Sequence, residues 1–263
     1  MMKRFLLLLL PISILANVHY ARVEPFDRAT IKASVGGIIT KVNISSEGRT
    51  ADAGVIIQID DSLDRQNLKD SKESIKLIKQ MSQINTEILD GLKKSVKLKQ
   101  SFFDKIKSLS SSTQSQKDNA NMALIAAKNQ MLGTKEKVAT LKKQIIDMQY
   151  KISMLKESIA KKRISLEGRY IYNIMVHAGE FAAPGMPLVI ADDLSKEKLT
   201  IYLDQNEVKG LKNKKVYIDG NETSVKINKL WKEADAHFIS AYKAQIILPS
   251  KYPFSSLLKI EIK

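Results

Sequence analysis

Hydrophobic and polar positions divide the chain into a helical middle and two β-rich flanks. Residues 62–166 contain no Pro, and Gly only at Gly91 and Gly133. Apolar side chains there recur in alternating steps of three and four, the spacing of one helix face in a coiled coil. The later stretch shows it well, at Ala120, Leu124, Ala127, Met131, Thr134, Val138, Leu141, Ile145, Met148, Ile152, Leu155 and Ile159. An earlier stretch repeats at Leu77, Met81, Ile84, Ile88, Gly91, Ser95, Leu98 and Phe102. The Ser-rich run between them, residues 108–115, has poor helix propensity and reads as a turn placed at about 109–116.

Two helices joined by a tight turn run antiparallel. Facing position numbers must then add to one constant. Phe102 with Ala120, Leu98 with Leu124, Gly91 with Met131, Ile84 with Val138 and Leu77 with Ile145 all obey this. Large side chains face small ones in several layers, and Gly91 is expected to make room for Met131. Each arm of about 45 residues, at ~1.5 Å per residue, gives a rod of roughly 70 Å. Two helices alone make no bundle, so the rod either projects or assembles with copies of itself.

The flanks repeat each other. Ile39, Val42 and Ile44, then Gly48, Ala51 and Gly54, then Ile57 and Ile59 form the first set. Ile171, Ile174 and Val176, then Gly179, Ala182 and Gly185, then Leu188 and Ile190 form the second. The spacing between equivalents shortens by one residue within the turn. Short β-rich runs bounded by Gly and Pro read as strands and tight turns, with Gly48 and Gly179 at positive φ. Neither set has enough apolar surface for a core; together they make one two-fold β-sandwich. After residue 194 apolar positions alternate: Leu199, Ile201 and Leu203; Val216 and Ile218; Val225 and Ile227; Ala244, Ile246 and Leu248; Leu258, Ile260 and Ile262. Period two over short runs predicts an antiparallel β-unit, with a short helix near 206–211.

Composition narrows the function. The 263 residues hold no Cys and three His (His19, His177, His237). That excludes a disulfide scaffold, a thiolate metal site and a cysteine nucleophile. No Ser-His-Asp set, phosphate loop or metal-ligand spacing stands out, so no enzyme activity and no cofactor is expected. The formal charge is +15, and nearly all the excess lies in residues 62–166. Such charge suits either the solvated face of long helices or an acidic partner. Aromatics are not interleaved with the lysines as single-strand binding wants, so no nucleic-acid partner is expected. Lys3 and Arg4, then an apolar run over residues 5–15, then Ala16, match a secretory signal cleaved after Ala16, with Ala21 as the second choice. An exported, periplasmic chain is the expectation.

A halved repeat split by a helical hairpin resembles the HlyD-like membrane fusion proteins, the periplasmic adaptors of tripartite efflux and secretion systems. Ile31-Lys32-Ala33-Ser34-Val35-Gly36-Gly37-Ile38, with Glu47-Gly48, Gly54 and Ile59-Asp60, fits that family's first half, and Lys198–Val208 fits the start of its β-barrel. The resemblance implies an elongated α+β chain. Residues 1–16 would be the signal peptide, and 17–61 an N-terminal strand and the first half of a biotinyl/lipoyl-like β-sandwich. Residues 62–166 would be the antiparallel coiled-coil α-hairpin, 167–193 the second half-sandwich, and 194–263 an antiparallel β-barrel. True lipoyl domains carry a modified Lys on the turn after the first half; Asp60-Asp61-Ser62-Leu63 stands there, so no lipoyl or biotinyl group is expected.

The resemblance also implies a non-catalytic, ring-forming subunit, a trimer or hexamer. It would bridge an inner-membrane transporter of RND or ABC type and a TolC-like outer-membrane channel, for efflux or type I secretion. At the hairpin tip such adaptors show Arg, then Leu four on, then Ser seven later. Lys105, Leu109 and Ser115, with Asp118 following, are the corresponding channel-docking residues, with Lys in place of Arg and a spacing one short. Two other readings stay open: a lipoyl or biotinyl carrier, and a basic coiled coil that binds nucleic acid or anionic lipid.

Overall fold

The computed structural model describes residues 17–234 and 241–263. The expected signal segment 1–16 and His237 lie outside the described residues. In chain order the strands and helices are β1 (Val18–Arg22), β2 (Glu24–Lys32), β3 (Gly37–Val42), β4 (Ile57–Ile59), α1 (Ser62–Ser108) and α2 (Gln114–Lys161). There follow β5 (Arg163–Ile164), β6 (Tyr170–Ile174), β7 (Phe181–Ala182), β8 (Pro187–Leu203) and α3 (Gln205–Val208). The chain finishes with β9 (Val216–Ile218), β10 (Asn221–Thr223), β11 (Ile227–Ala234), β12 (Tyr242–Pro249) and β13 (Leu257–Ile262).

The two repeats share one core. Ile39 and Ile171 occupy equivalent places and both are 0% exposed; Ala51 and Ala182 pack with them, as do Ile57, Ile59, Leu188 and Val189. Backbone bonds cross between the halves in matched pairs. Gly48 N–H donates to Ile171 C=O (2.9 Å), and Gly179 N–H donates to Ile39 C=O (2.8 Å). Ile171 N–H donates to Arg49 C=O (2.9 Å), and Ile39 N–H to Glu180 C=O (2.8 Å). Gly48 (φ 75) and Gly179 (φ 94) adopt the left-handed backbone that the turns require.

One detail of the repeat differs from the sequence alignment. Asn43 N–H donates to Ile56 C=O (2.7 Å), and its equivalent Met175 donates to Leu188 C=O (2.9 Å). Ile56, not Ile57, is therefore the partner of Leu188. Ile59 corresponds to the buried Ala191, while Ile190 is only half-buried. The residue lost in the turn is regained before the last strand, beside Pro184 and Pro187, so the deletion is local.

The hairpin leaves this body from β4 and returns to it through β5, which pairs with β4. Thr113 caps α2: its Oγ1 accepts from Gln116 N–H (3.2 Å), while Gln116 Oε1 accepts from Thr113 N–H (2.9 Å). These bonds satisfy two of the orphan donors of the helix start. The α2 seam is the expected one, with Ala120, Leu124, Val138 and Leu141 buried and Met131, Ile145 and Ile152 half-buried. The α1 seam is not. Its buried positions are Ser71, Ser82, Asn85 and Leu89, flanked by half-buried Ile75, Ile78, Leu92, Val96 and Phe103. The face that meets α2 is thus rotated by one residue from the one the sequence suggested. Gly91 points to open space and makes no room for Met131. Asn85 returns its amide to Met81 C=O (2.7 Å), which satisfies a polar group on the seam.

The C-terminal unit is an open barrel around a second core. One sheet has the order β1-β13-β9-β10, the other β11-β12-β8-β2. Leu199, Ile201, Leu203, Val216, Ile218, Ala244, Ile246, Leu248, Leu258, Ile260 and Ile262 all point into it, as period two predicts, and Val225 and Ile227 pack against it. Asp204 caps α3 by accepting from Glu207 N–H (2.9 Å). Strand β8 belongs to both bodies. It pairs with β6 and with the later part of β2 in the sandwich, and with β12 in the barrel.

Two outcomes test this account. Ile39→Ala and Ile171→Ala should each lower the unfolding free energy by about 2–5 kcal/mol, and by similar amounts because their sites are equivalent; urea titration measures both. Lys259 and then Lys263 pull the Glu261 carboxyl from its ordinary 4.5 down to about 2. The unfolded chain binds the proton first as pH falls, so this contribution is complete above about pH 4.5 and lost on approach to pH 2. Glu261→Gln should melt lower than the parent at pH 7, and the gap should close as pH falls through that window.

Candidate interaction surfaces of the hairpin and its base

Each helix of the hairpin carries a second apolar stripe that its partner helix does not cover. On α1 it runs through Leu77 (60% exposed), Met81, Ile84, Ile88, Leu98 (72%) and Phe102 (54%). These are the side chains that the sequence pattern placed against α2. On α2 it runs through Met122, Ile125, Leu132, Ile146, Tyr150 and Met154. Each stripe is interrupted, on α1 between Ile88 and Leu98 and on α2 between Leu132 and Ile146, but large apolar side chains exposed in groups along one helix face suit a contact surface more than isolated ones do.

The four tip residues named from sequence lie around the turn. Lys105 sits in the last turn of α1, Leu109 follows that helix and is 51% exposed, and Ser115 and Asp118 open α2. Leu109 N–H donates to Ile106 C=O (3.4 Å), and Asp118 Oδ1 accepts from Gln114 Nε2 (2.9 Å). All four are exposed, so the turn presents one apolar side chain among polar and charged ones.

At the root, Asp64 ties the two helices together. It accepts from Ser158 Oγ (2.8 Å) and pairs with Lys162 Nζ (3.0 Å). Burial opposes its charge, but the bonds from Lys162 and Ser158 outweigh that and leave its pKa below the ordinary carboxylate value. Asp60 and Asp61 lead into α1: Asp60 Oδ1 accepts from Ser62 N–H (3.0 Å), which lowers the Asp60 pKa. Arg65 likewise lowers that of Asp61, bonding it at 2.7 Å.

Where sandwich and barrel meet, Arg28 grips Asp192 with two bonds of 2.8 Å, and its guanidinium lies 4.2 Å from the Tyr172 ring centre. The fork geometry fixes the approach of β2 and β8 as no lysine would. A cleft of about 580 Å³ opens beside it, lined in part by Arg22, Tyr170, Lys198 and Phe254. No sequence signal marks this clasp, because its members are scattered through the chain. In the barrel, Trp231 lies under Lys229 (4.4 Å) and Lys243 (5.1 Å), and Tyr217 under Lys263 (5.0 Å). Among the described residues no cluster of His, Asp or Glu is placed to hold a metal ion, and no helix is long and apolar enough to cross a membrane.

No family model matches the sequence, and no curated protein matches it. Solved structures do match by shape. MacA from Actinobacillus actinomycetemcomitans aligns at a TM-score of 0.66 and 16% identity, over 94% of this chain and 78% of that one. A MacA–MexA chimera carrying the Pseudomonas aeruginosa MexA α-hairpin domain aligns at 0.60 and 14% identity, over 94% and 80%. The membrane fusion protein Spr0693 from Streptococcus pneumoniae R6 aligns at 0.58 and 8% identity, over 94% and 99%. With its split sandwich, projecting hairpin and open barrel, the chain has the fold of the membrane fusion adaptors.

Proposed function

We propose that this protein is a non-catalytic periplasmic adaptor that joins an inner-membrane transporter to an outer-membrane channel, as a ring of identical copies, in efflux or type I secretion. The observation that carries the reading is the hairpin itself. A rod of helices 47 and 48 residues long stands on a small folded base and bears apolar stripes that its own chain leaves exposed. Such surface serves contact with other molecules, since water opposes its exposure at roughly 25 cal/mol per Å². The fold shared with Spr0693, a membrane fusion protein, supports the same reading. So does the sequence of residues 1–16, which suits export.

The base and barrel take the transporter end in this scheme, and the tip takes the channel end. Lys105, Leu109, Ser115 and Asp118 are the residues assigned to channel docking. Coupling in this scheme is mechanical.

Crosslinking in intact cells followed by affinity capture tests this. The expected result is co-purification of a transporter and a channel protein with the full chain. Capture of neither overturns the proposal. Leu109→Asp with Lys105→Glu should reduce capture of the channel by about tenfold or more, as loss of a central contact does. Capture of the transporter should stay unchanged.

A further inference from the structure

We infer that the open seam of the barrel is a binding cleft for one anionic single-chain amphiphile of the fatty-acid class. Its alkyl chain would lie against the barrel core, with its head group between Lys214 and Lys226. The inference concerns the barrel alone and is independent of the adaptor reading above.

The cleft exists because the barrel does not close. Strand β10 ends one sheet and β11 ends the other, and no ladder joins the two among the described residues. Pairing across this gap would seal the core behind it. Instead a cleft of about 810 Å³ reaches the core, within the roughly 300–1,000 Å³ of sites for one small molecule. Val216 and Ile262, partners across β9 and β13 and both buried, line it from one sheet. Ile227 and Leu230 line it from β11, and Val208 and Leu211 from α3 and the turn that follows. These last four pack against the core yet are only half-buried, so water still touches them. An alkyl chain laid between the two sides removes that apolar surface from water, which is the driving force for binding hydrocarbon.

The charges in the lining have one sign. Lys214 and Lys226 belong to it, and among the described residues no carboxylate does. Lys214 is half-buried, yet its amine donates to a backbone carbonyl, Glu207 C=O (2.9 Å), and has no carboxylate partner among the described residues. The Glu207 carboxylate is engaged elsewhere: it accepts from Asp204 N–H (2.9 Å) and is bonded to His19 Nε2 (2.7 Å). Lys226 is exposed and has no ion pair among the described residues. Lys215, next to Lys214 but outside the cleft, is paired with Glu222 at 2.6 Å. The cations left without counter-ions are thus the ones that line the apolar slot. A half-buried ammonium without a counter-ion is costly, and an anionic head group at this place supplies one. Hydrocarbon walls and unpaired cations together specify a hydrocarbon chain that ends in an anion.

Calorimetric titration of the full chain with dodecanoate, kept below the concentration at which it forms micelles, tests this. One dodecanoate should bind per chain. Dodecyltrimethylammonium, with the same tail and the opposite charge, should bind about tenfold or more weakly. Lys214→Gln with Lys226→Gln should weaken dodecanoate by about tenfold and leave neutral dodecanol unchanged. Leu230→Trp, which fills the slot, should abolish binding of both. Circular dichroism checks the fold of that variant, and the lysine pair decides the matter alone if it unfolds. No saturable binding, equal affinity for both charges, or indifference to the lysine pair overturns the cleft. Sedimentation with phosphatidylglycerol vesicles in the absence of dodecanoate binding also overturns it, in favour of a membrane surface. None of these outcomes touches capture of a transporter or a channel, so the two readings fail separately.

Discussion

Backbone pairing between two short segments, far apart in sequence, holds the base together. Each half-sandwich lends its turn to the other: Gly48 to Ile171, Gly179 to Ile39. Neither segment can satisfy its own polar groups or bury its own isoleucines, so neither folds without its twin. The inserted hairpin makes this affordable. Antiparallel helices return the chain to where it left, and Asp64 binds Ser158 and Lys162 across the root. A disordered insert of that length would have to close a long loop; an ordered rod arrives with its ends already together.

The same arrangement explains which parts were legible in the sequence. Period two in the barrel and the twinned Gly-Ala-Gly pattern each have a single solution, because one face of every strand is wet and the other dry. Local exceptions came from prolines: the alignment slipped by one residue around Pro184 and Pro187, where a turn of different length rejoins the same strand. The α2 seam was legible because its buried row is also its longest regular row.

The α1 helix was misread for a physical reason. Its most apolar row, Leu77 through Phe102, is exposed, whereas the row facing α2 includes Ser71, Ser82 and Asn85. Periodicity finds greasy faces; it does not say which neighbour will cover them. A helix with two such faces, one residue apart, gives pattern reading an ambiguous answer, and here the richer face is the one that α2 leaves uncovered. Of the site, the turn could be placed because a Ser-rich run between two helices is a local signal, while the four residues named on it came from the resemblance to the adaptors' tip pattern. The Arg28–Asp192–Tyr172 clasp is a product of tertiary folding alone, and nothing in the local sequence around Arg28 announces it.

Strand β8 passes unbroken from sandwich to barrel over 17 residues, paired along the way with β2. The ladder between them slips once near the junction, between Pro25 and Asp27, with Arg28 clamped just beyond. A bulge bends its strand and increases the local twist. The change of direction between sandwich and barrel is therefore set over a few residues around Phe26, at one end of the rod's base.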